Sequence, residues 1–261
     1  MSRALYTAAT GMQAQQLKID VIANNLANVN TDGFKGSRAE FQDLVYQTMR
    51  TAGATVDADT DTPVGIQVGL GVRPQATPRN FSQGELTQTG NMLDVAIGGD
   101  GFFQVRLPSG ELVYSRNGAL KLDADGRLTT SEGYPLEPEI MVPPETTEIT
   151  IGKDGVVMAR LSDGSPPVEA GQLQLATAIN KGAFEGLGQN LYRLNGDSRD
   201  LILSVPGMDG LGSIEQGYVE SSNVKVVEEM IALISGQRAY EANSRVIRTA
   251  DEMMQETNRL R

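Results

Sequence analysis

Residues 218–261 read YVESSNVKVVEEMIALISGQRAYEANSRVIRTADEMMQETNRLR, and how this stretch folds decides the rest. It contains no proline and a single glycine, Gly236. Apolar side chains return at Val226, Val227, Met230, Leu233, Ile234, Tyr240, Ile247, Ala250 and Met254, mostly three or four residues apart, which predicts one long amphipathic helix. Glu241 precedes Arg245 by one turn, a favourable order for a helical ion pair. The opposite end of the chain answers it. Leu5, Ala8, Met12, Gln15, Ile19, Ile22, Leu26 and Val29 follow a strict seven-residue repeat. Two matching heptad helices at the two extremities can lie side by side, with everything between them inserted.

That helix alone would extend about 60 Å over forty residues, too long for a domain of this size to cover. An uncovered heptad face calls for copies of the same chain, and contacts that do not close generate helical filaments. Asn243 lies beside the apolar face, either as a buried amide fixing register or as an exposed helix residue. The methionines Met12, Met230, Met253 and Met254 fill a core or form a binding surface.

The first helix is expected from Ser2, a plausible N-cap, to Asn28, with Gly11 weakening it by up to ~1 kcal/mol. The run Asn24 to Lys35, with Asp32-Gly33 as a tight turn, ends it. Residues 39–49 suit a short helix or an extended arm. Residues 51–63 are rich in Thr, Ala, Gly, Asp and Pro, and 64–73 alternate β-branched residues with glycine. Together they suit a long hairpin arm or a disordered linker.

From Phe81 to about Met208 the period falls to two. Runs at 93–97, 102–107, 147–151 and 171–177 read as strands. Between the strand runs lie Asp100-Gly101, Ser109-Gly110, Asn117-Gly118, Asp125-Gly126, Asp154-Gly155, Asp163-Gly164 and Asn195-Gly196, dipeptides that close hairpins. The fold class expected is α+β: a discontinuous coiled-coil domain of terminal helices, an extended arm, and an inserted hairpin-rich antiparallel β domain. The divisions are 1–45, 46–80, 81–214 and 215–261.

The chain has 261 residues and a net charge of −11, with neither cysteine nor histidine. Disulfides, thiolate nucleophiles, imidazole bases and Cys/His metal sites are thereby excluded. Residues 1–45 are neutral, 219–261 carry −1 and the middle carries −10. Near-neutral ends can crowd together, and an acidic middle stays soluble and repels nucleic acid. No apolar run nears the roughly 18 residues of a membrane span, and no secretory signal peptide is evident, so export without a Sec signal or a cytoplasmic place is expected. Asp57-Ala58-Asp59-Thr60-Asp61 and Asp123-Ala124-Asp125-Gly126 open like calcium loops but lack the later ligands. Gly98-Gly99-Asp100-Gly101 misses phosphate-loop spacing. No carboxylate pair or Ser–Lys arrangement forms an active site, so no enzyme, cofactor or metal is expected.

With these residues in view, both ends resemble the axial proteins of the bacterial flagellar rod and hook. The resemblance rests on Asn24 to Lys35, on Gly217-Tyr218-Val219-Glu220-Ser221-Ser222-Asn223-Val224, and on Gln237 to Asn243. Residues 94–105 and 114–118 are similar to the start of the family's β domain. Within the family the distal-rod branch looks nearest, because residues 65–74 resemble its additional arm. The resemblance implies a structural subunit in the basal body, in the rod crossing the cell envelope, exported unfolded through the flagellar export apparatus without a cleaved signal. It implies a rigid tube of copies whose terminal helices enclose a channel and which transmits torque. The implied partners are further copies, proximal rod subunits, hook subunits and the ring bushing proteins, without nucleic acid or membrane insertion. Self-assembly is expected to use Leu5, Met12, Ile19, Asn24, Asn25, Leu26, Asn28, Met230, Leu233, Tyr240, Asn243, Ile247 and Met254. The rod-type arm is expected to use Pro63, Ile66, Val68, Leu70 and Val72. The other readings are a proximal rod or hook subunit and, remotely, a secreted calcium- or carbohydrate-binding β protein. Ala242 and Ser235-Gly236 depart from the family's expected bulkier or charged residues.

Overall fold

The computed structural model describes residues 3–51, 55–57, 60–61, 64–163, 165–195 and 201–259, with the backbone alone at 55–57 and 60–61. Ser2, Pro63, Gly164, Gly196 and the centre of the acidic run at 57–61 lie outside the described residues. The chain divides into two compact units. One gathers Met1–Ala27, Ser37–Arg79 and Lys225–Arg261; the other holds Asn28–Gly36 and Asn80–Val224. The class is α+β.

Among the described residues, the first unit contains α1 (Arg3–Ala27), six strands, and α2 (Val226–Arg259). The strands are β1 (Glu40–Asp43), β2 (Tyr46–Arg50), β3 (Thr55–Asp57), β4 (Thr60–Asp61), β5 (Ile66–Gly69) and β6 (Val72–Ala76). They pair antiparallel as β1 with β6, β2 with β5 and β3 with β4, so the described parts of 40–76 form one long two-stranded ribbon. Of the two states open to residues 39–49, the extended one is adopted. The strand pattern begins at Glu40, six residues before the expected arm boundary. Phe41, Leu44 and Val45 make only a narrow apolar stripe, too little to hold a helix here.

Helix α2 starts at Val226, the first residue of its apolar pattern, and not at Tyr218, where the proline-free stretch begins. Tyr218–Glu220 is a strand of the second unit, where burial of Val219 and Glu220 outweighs helix propensity. Glu228 and Glu229 occupy the first turn of α2 and Arg259 the last, each sign matching the helix dipole.

The second unit comprises β7 (Leu86–Gln88), β8 (Val95–Gly98), β9 (Phe102–Arg106), β10 (Leu112–Ser115), β11 (Lys121–Leu122), β12 (Leu128–Thr129), β13 (Leu136–Glu137) and β14 (Thr146–Ile151). It continues with β15 (Val156–Leu161), β16 (Val168–Gln172), β17 (Leu175–Ala178), β18 (Phe184–Gly188), β19 (Leu191–Leu194), β20 (Leu201–Ser204), β21 (Ser213–Gln216) and β22 (Tyr218–Glu220). Its main sheet runs β18-β19-β10-β9-β17-β20, with β13 also on β9; β14-β15-β16 form a second sheet. Among the described residues every pairing of this unit is antiparallel. Aliphatic residues such as Val95, Ile97, Leu128, Ile140, Val157 and Leu175 form the main core. Phe102, Tyr114, Phe184 and Tyr192 form a second, aromatic one.

Two sequence readings need correction here. The run at 171–177 is not one strand: β16 and β17 belong to different sheets, and buried Leu173 between them donates its N–H to Gly155 O at 2.8 Å. Asn117-Gly118 is not a positive-φ hairpin turn. Gly118 is needed because a β-carbon there would collide with the carbonyl of Val95.

Candidate functional site

The heptad of α1 is the covered face of that helix. Ala8 and Ile22 are buried, and Leu5, Met12, Gln15, Ile19 and Leu26 are half-buried. Its partner is α2. Asn25 Nδ2 donates to Glu229 Oε1 at 3.0 Å, Gly236 faces Ile19, and Gly11 faces Asn243. As one number rises the other falls, so the helices are antiparallel. The contacts on α2 repeat every seven residues, at Glu229, Gly236 and Asn243, and the same frame places Leu233, Tyr240, Ile247, Ala250 and Met254 on this seam.

Small residues set how closely the backbones approach. A β-carbon at Gly236 would lie 3.3 Å from Ile19 Cγ1, and one at Gly11 would lie 2.8 Å from Asn243 Nδ2. Gly236 and Gly11, which as isolated residues only weaken their helices, are therefore contact positions. Asn243 is half-buried against the opposing helix, the first of its two readings in position.

The broad apolar face expected on α2 is two stripes. One is the seam. The other holds Val227, Met230, Ile231 and Ile234, with Ile231 63% and Ile234 48% exposed, and gives way to the charged Arg238, Glu241 and Arg245 further along the same face. Met230 belongs to this outward stripe, whereas Leu233 and Ile247 belong to the seam. Tyr240 and Met254 sit at its rim, still partly open to solvent.

Asn25 is buried and fully satisfied, giving Nδ2 to Ser37 O at 2.8 Å and receiving Ser37 N on Oδ1 at 3.0 Å. It joins the end of α1 to the root of the ribbon and to α2. Asn28 receives the Thr31 hydroxyl on its side chain at 3.3 Å, closing the turn after α1. Asn24 is exposed.

The ribbon touches α1 at Arg3, whose Nη1 donates to Met49 Sδ at 3.5 Å, and at Thr10. Val72 N donates to Thr10 Oγ1 at 3.4 Å, and Gly71, at φ +115°, brings its backbone so near Thr10 that a side chain would overlap the hydroxyl. Away from these contacts the ribbon is bare: Val45, Tyr46, Val64, Ile66 and Val68 are exposed, and Leu70 and Val72 half-buried. A two-stranded ribbon with open faces is marginal in water by itself.

In the second unit, charge is buried where reading the sequence found no charge of interest. Glu220 receives Lys35 Nζ at 2.5 Å and Gly84 N at 2.8 Å on Oε1, and Arg116 Nε at 2.5 Å on Oε2. The side chains of Lys35, Glu220 and Arg116 are 2%, 1% and 4% exposed. Arg116 also donates to the carbonyls of Ile97, Gly99 and Gly101, and Lys35 to Ser82 O at 2.7 Å. Burial holds the Lys35 ammonium below the usual lysine range, against the pull of Glu220. Burial pushes the Glu220 carboxyl up, but Arg116 and Lys35 outweigh it and the net direction is down. The only signal in the sequence was indirect: Lys35 and Glu220 both fall inside the terminal motifs. Asn223 closes the same junction, receiving Gly36 N at 2.9 Å and donating to Asn80 O at 2.8 Å.

The acidic turn at 123–126 is also not merely solvated: Arg127 pairs with Asp123, Asp125 and Glu139. Among the described residues, no helix is long and apolar enough to cross a membrane.

Residues 5–35 match the flagella basal body rod protein family, 96–159 the D1 domain of the flagellar hook protein FlgE/F/G, and 215–260 the C-terminal part of the flagellar basal body rod FlgEFG protein. Over 260 residues, spanning both chains entirely, the chain is 48% identical to the flagellar basal-body rod protein FlgG of Buchnera aphidicola subsp. Schizaphis graminum. It is 48% identical to FlgG of Caulobacter vibrioides over 99% of each chain. The chain belongs to the FlgG family of flagellar basal-body rod proteins. The FlgF protein of the same Caulobacter is 34% identical over 97% of this chain and 95% of its own. The matched segments 5–35 and 215–260 contain the helical seam and both motifs that meet at Glu220.

Proposed function

We propose that the chain is a structural subunit of the flagellar distal rod, polymerising into a rigid helical tube that encloses an export channel and transmits torque from motor to hook. The observation that carries this reading is the outward stripe of α2. A helix already paired with α1 keeps Val227, Met230, Ile231 and Ile234 exposed along two turns. Apolar surface of that kind is stabilised by removal from water, at about 25 cal/mol per Å². The relatives that share the whole length are named for the basal-body rod.

In this reading Leu5, Met12, Ile19, Leu26, Leu233, Asn243 and Ile247 hold the helix pair, while Met230, Tyr240 and Met254 reach neighbouring copies. The coiled coil of the terminal helices and the rod-type arm are parts of the proposal. Ile66, Val68, Leu70 and Val72 carry the arm onto neighbours and stiffen the tube. The partners are further copies, proximal rod and hook subunits, the ring bushing proteins and the export apparatus, which takes the chain without a cleaved signal. The higher identity to FlgG than to FlgF within one organism favours the distal rod over its proximal sibling.

The test is the double substitution I231E/I234E in the purified full chain. The helical circular dichroism should stay unchanged, while tubes seen in negative stain at high concentration should disappear. Tubes formed as readily as by the unsubstituted chain would refute the reading.

A further inference from the structure

Glu220 joins three segments that are remote in sequence. Its two carboxylate oxygens take different cations: Lys35 from the 28–36 segment on one, Arg116 from the end of β10 on the other. Its backbone carbonyl also receives Gly33 N at 2.6 Å. Gly84 N adds the 82–85 segment at 2.8 Å, and Ser221 N returns to Glu85 O at 2.8 Å. Arg116 passes the connection on, since its other nitrogens hold the carbonyls of Ile97, Gly99 and Gly101.

Removing either chain end takes a member from this buried cluster. Without Glu220, two cations remain in a site closed to water. Without Lys35, Ser82 O keeps only Asn223 Nδ2 at 3.1 Å, and Oε1 of Glu220 keeps Gly84 N but loses its charged donor. A buried charge stripped of its partner is far costlier than one that was never buried. The charged side chains of Lys35, Arg116 and Glu220 are not members of the main apolar core, although Arg116 holds the carbonyl of one member, Ile97.

We infer that Glu220 is a conditional latch, so that order in the 97–116 segment of the β unit depends on both the 28–36 and the 217–224 segments having docked. The β unit then cannot complete this region while either extremity is absent. The latch is independent of whether the helices assemble with other copies.

Hydrogen exchange of the full chain, with K35M as the first variant, tests it. K35M removes one cation and leaves the Glu220–Arg116 pair neutral, so it is expected to fold. Exchange should accelerate together at 28–36, 82–85 and 97–116, by about tenfold to a hundredfold, as loss of a charge-assisted hydrogen bond implies. The sheet β14-β15-β16 should keep its protection, and K35R should restore slow exchange in all three segments. Acceleration confined to the neighbours of residue 35, with 97–116 unchanged, would overturn the latch. Equal acceleration in β14-β15-β16 would also overturn it, because that is a general loss of stability. Should K35M not fold, E220D carries the same comparison, keeping the charge but shortening the side chain that must span both cations.

Discussion

Replacing Gly236 separates a tight helical seam from an ordinary helix position by the sign of the effect. Mid-helix glycine costs about 1 kcal/mol relative to alanine, and valine recovers a few tenths of that. On an open helical surface, G236A and G236V would therefore both stabilise. Here the β-carbon meets Ile19 Cγ1 at 3.3 Å, with Gln15 Oε1 and Ile19 Cδ1 each at 3.8 Å. Ile19 is half-buried and can yield a few tenths of an ångström, so G236A should lie between neutral and ~1 kcal/mol more stable. Valine adds two methyl groups on a χ1 held to essentially one rotamer in a helix, and they have nowhere to turn. Overpacking of this kind costs about 1–3 kcal/mol, so G236V should be net destabilised by roughly 0.5–2.5 kcal/mol. The assay is urea unfolding of the purified chain followed by circular dichroism at the helical band. A G236V protein as stable as its parent, or more so, would refute the close approach of α2 to α1.

Three further outcomes follow from named contacts. G71A forces an alanine to φ +115° and onto Thr10, so the ribbon should detach from α1 and proteolytic cleavage within 46–51 and 64–69 should accelerate at least about tenfold. F184A removes a ring that lies 4.7 Å from Phe102 and 5.5 Å from Tyr114, and should lower stability of the β unit by about 3–5 kcal/mol in a thermal melt read by tyrosine fluorescence. The folded Glu220 carboxyl titrates below its ordinary 4.5, so its contribution is complete above that pH and is lost as the pH falls through the lowered value. An acid titration followed by circular dichroism should then show a shallower loss of stability in E220Q than in the parent; identical slopes would count against the assignment.

How much of this was legible in the sequence differs between the helices and the junction. The heptad from Leu5 to Leu26 could be read because period and burial coincide: none of its members is exposed. On α2 the same reasoning merged two stripes. Val227, Ile231 and Ile234 fit a helical period as well as Leu233 and Ile247 do, and periodicity does not say which stripe a partner covers. The start of α2 is not marked by a breaker: Tyr218–Glu220 has no helix-breaking residue, and its strand state comes from pairing with the distant Leu86–Gln88. Lys35, Arg116 and Glu220 lay beyond reach for a similar reason. A charge is expected at the surface, and only tertiary structure brings residues 35, 116 and 220 together.

The positions of greatest apparent weakness in each helix turn out to be matched. Gly11 faces Asn243 and Gly236 faces Ile19, so each small residue is set against a larger one on the opposing helix. This pairing fixes register more firmly than uniform leucines would. Sliding α2 by one heptad would bring Glu229 to the level of Lys18 and Ile19 and away from Asn25, leaving the buried amide with one partner fewer. A register fixed inside each protomer holds the outward stripe at one height along the helix. A regular tube needs that constancy, because every copy must present Val227, Ile231 and Ile234 at the same level to its neighbour. The seam and the outward stripe thus divide the work: the seam supplies geometry, and the stripe supplies the apolar surface that assembly removes from water.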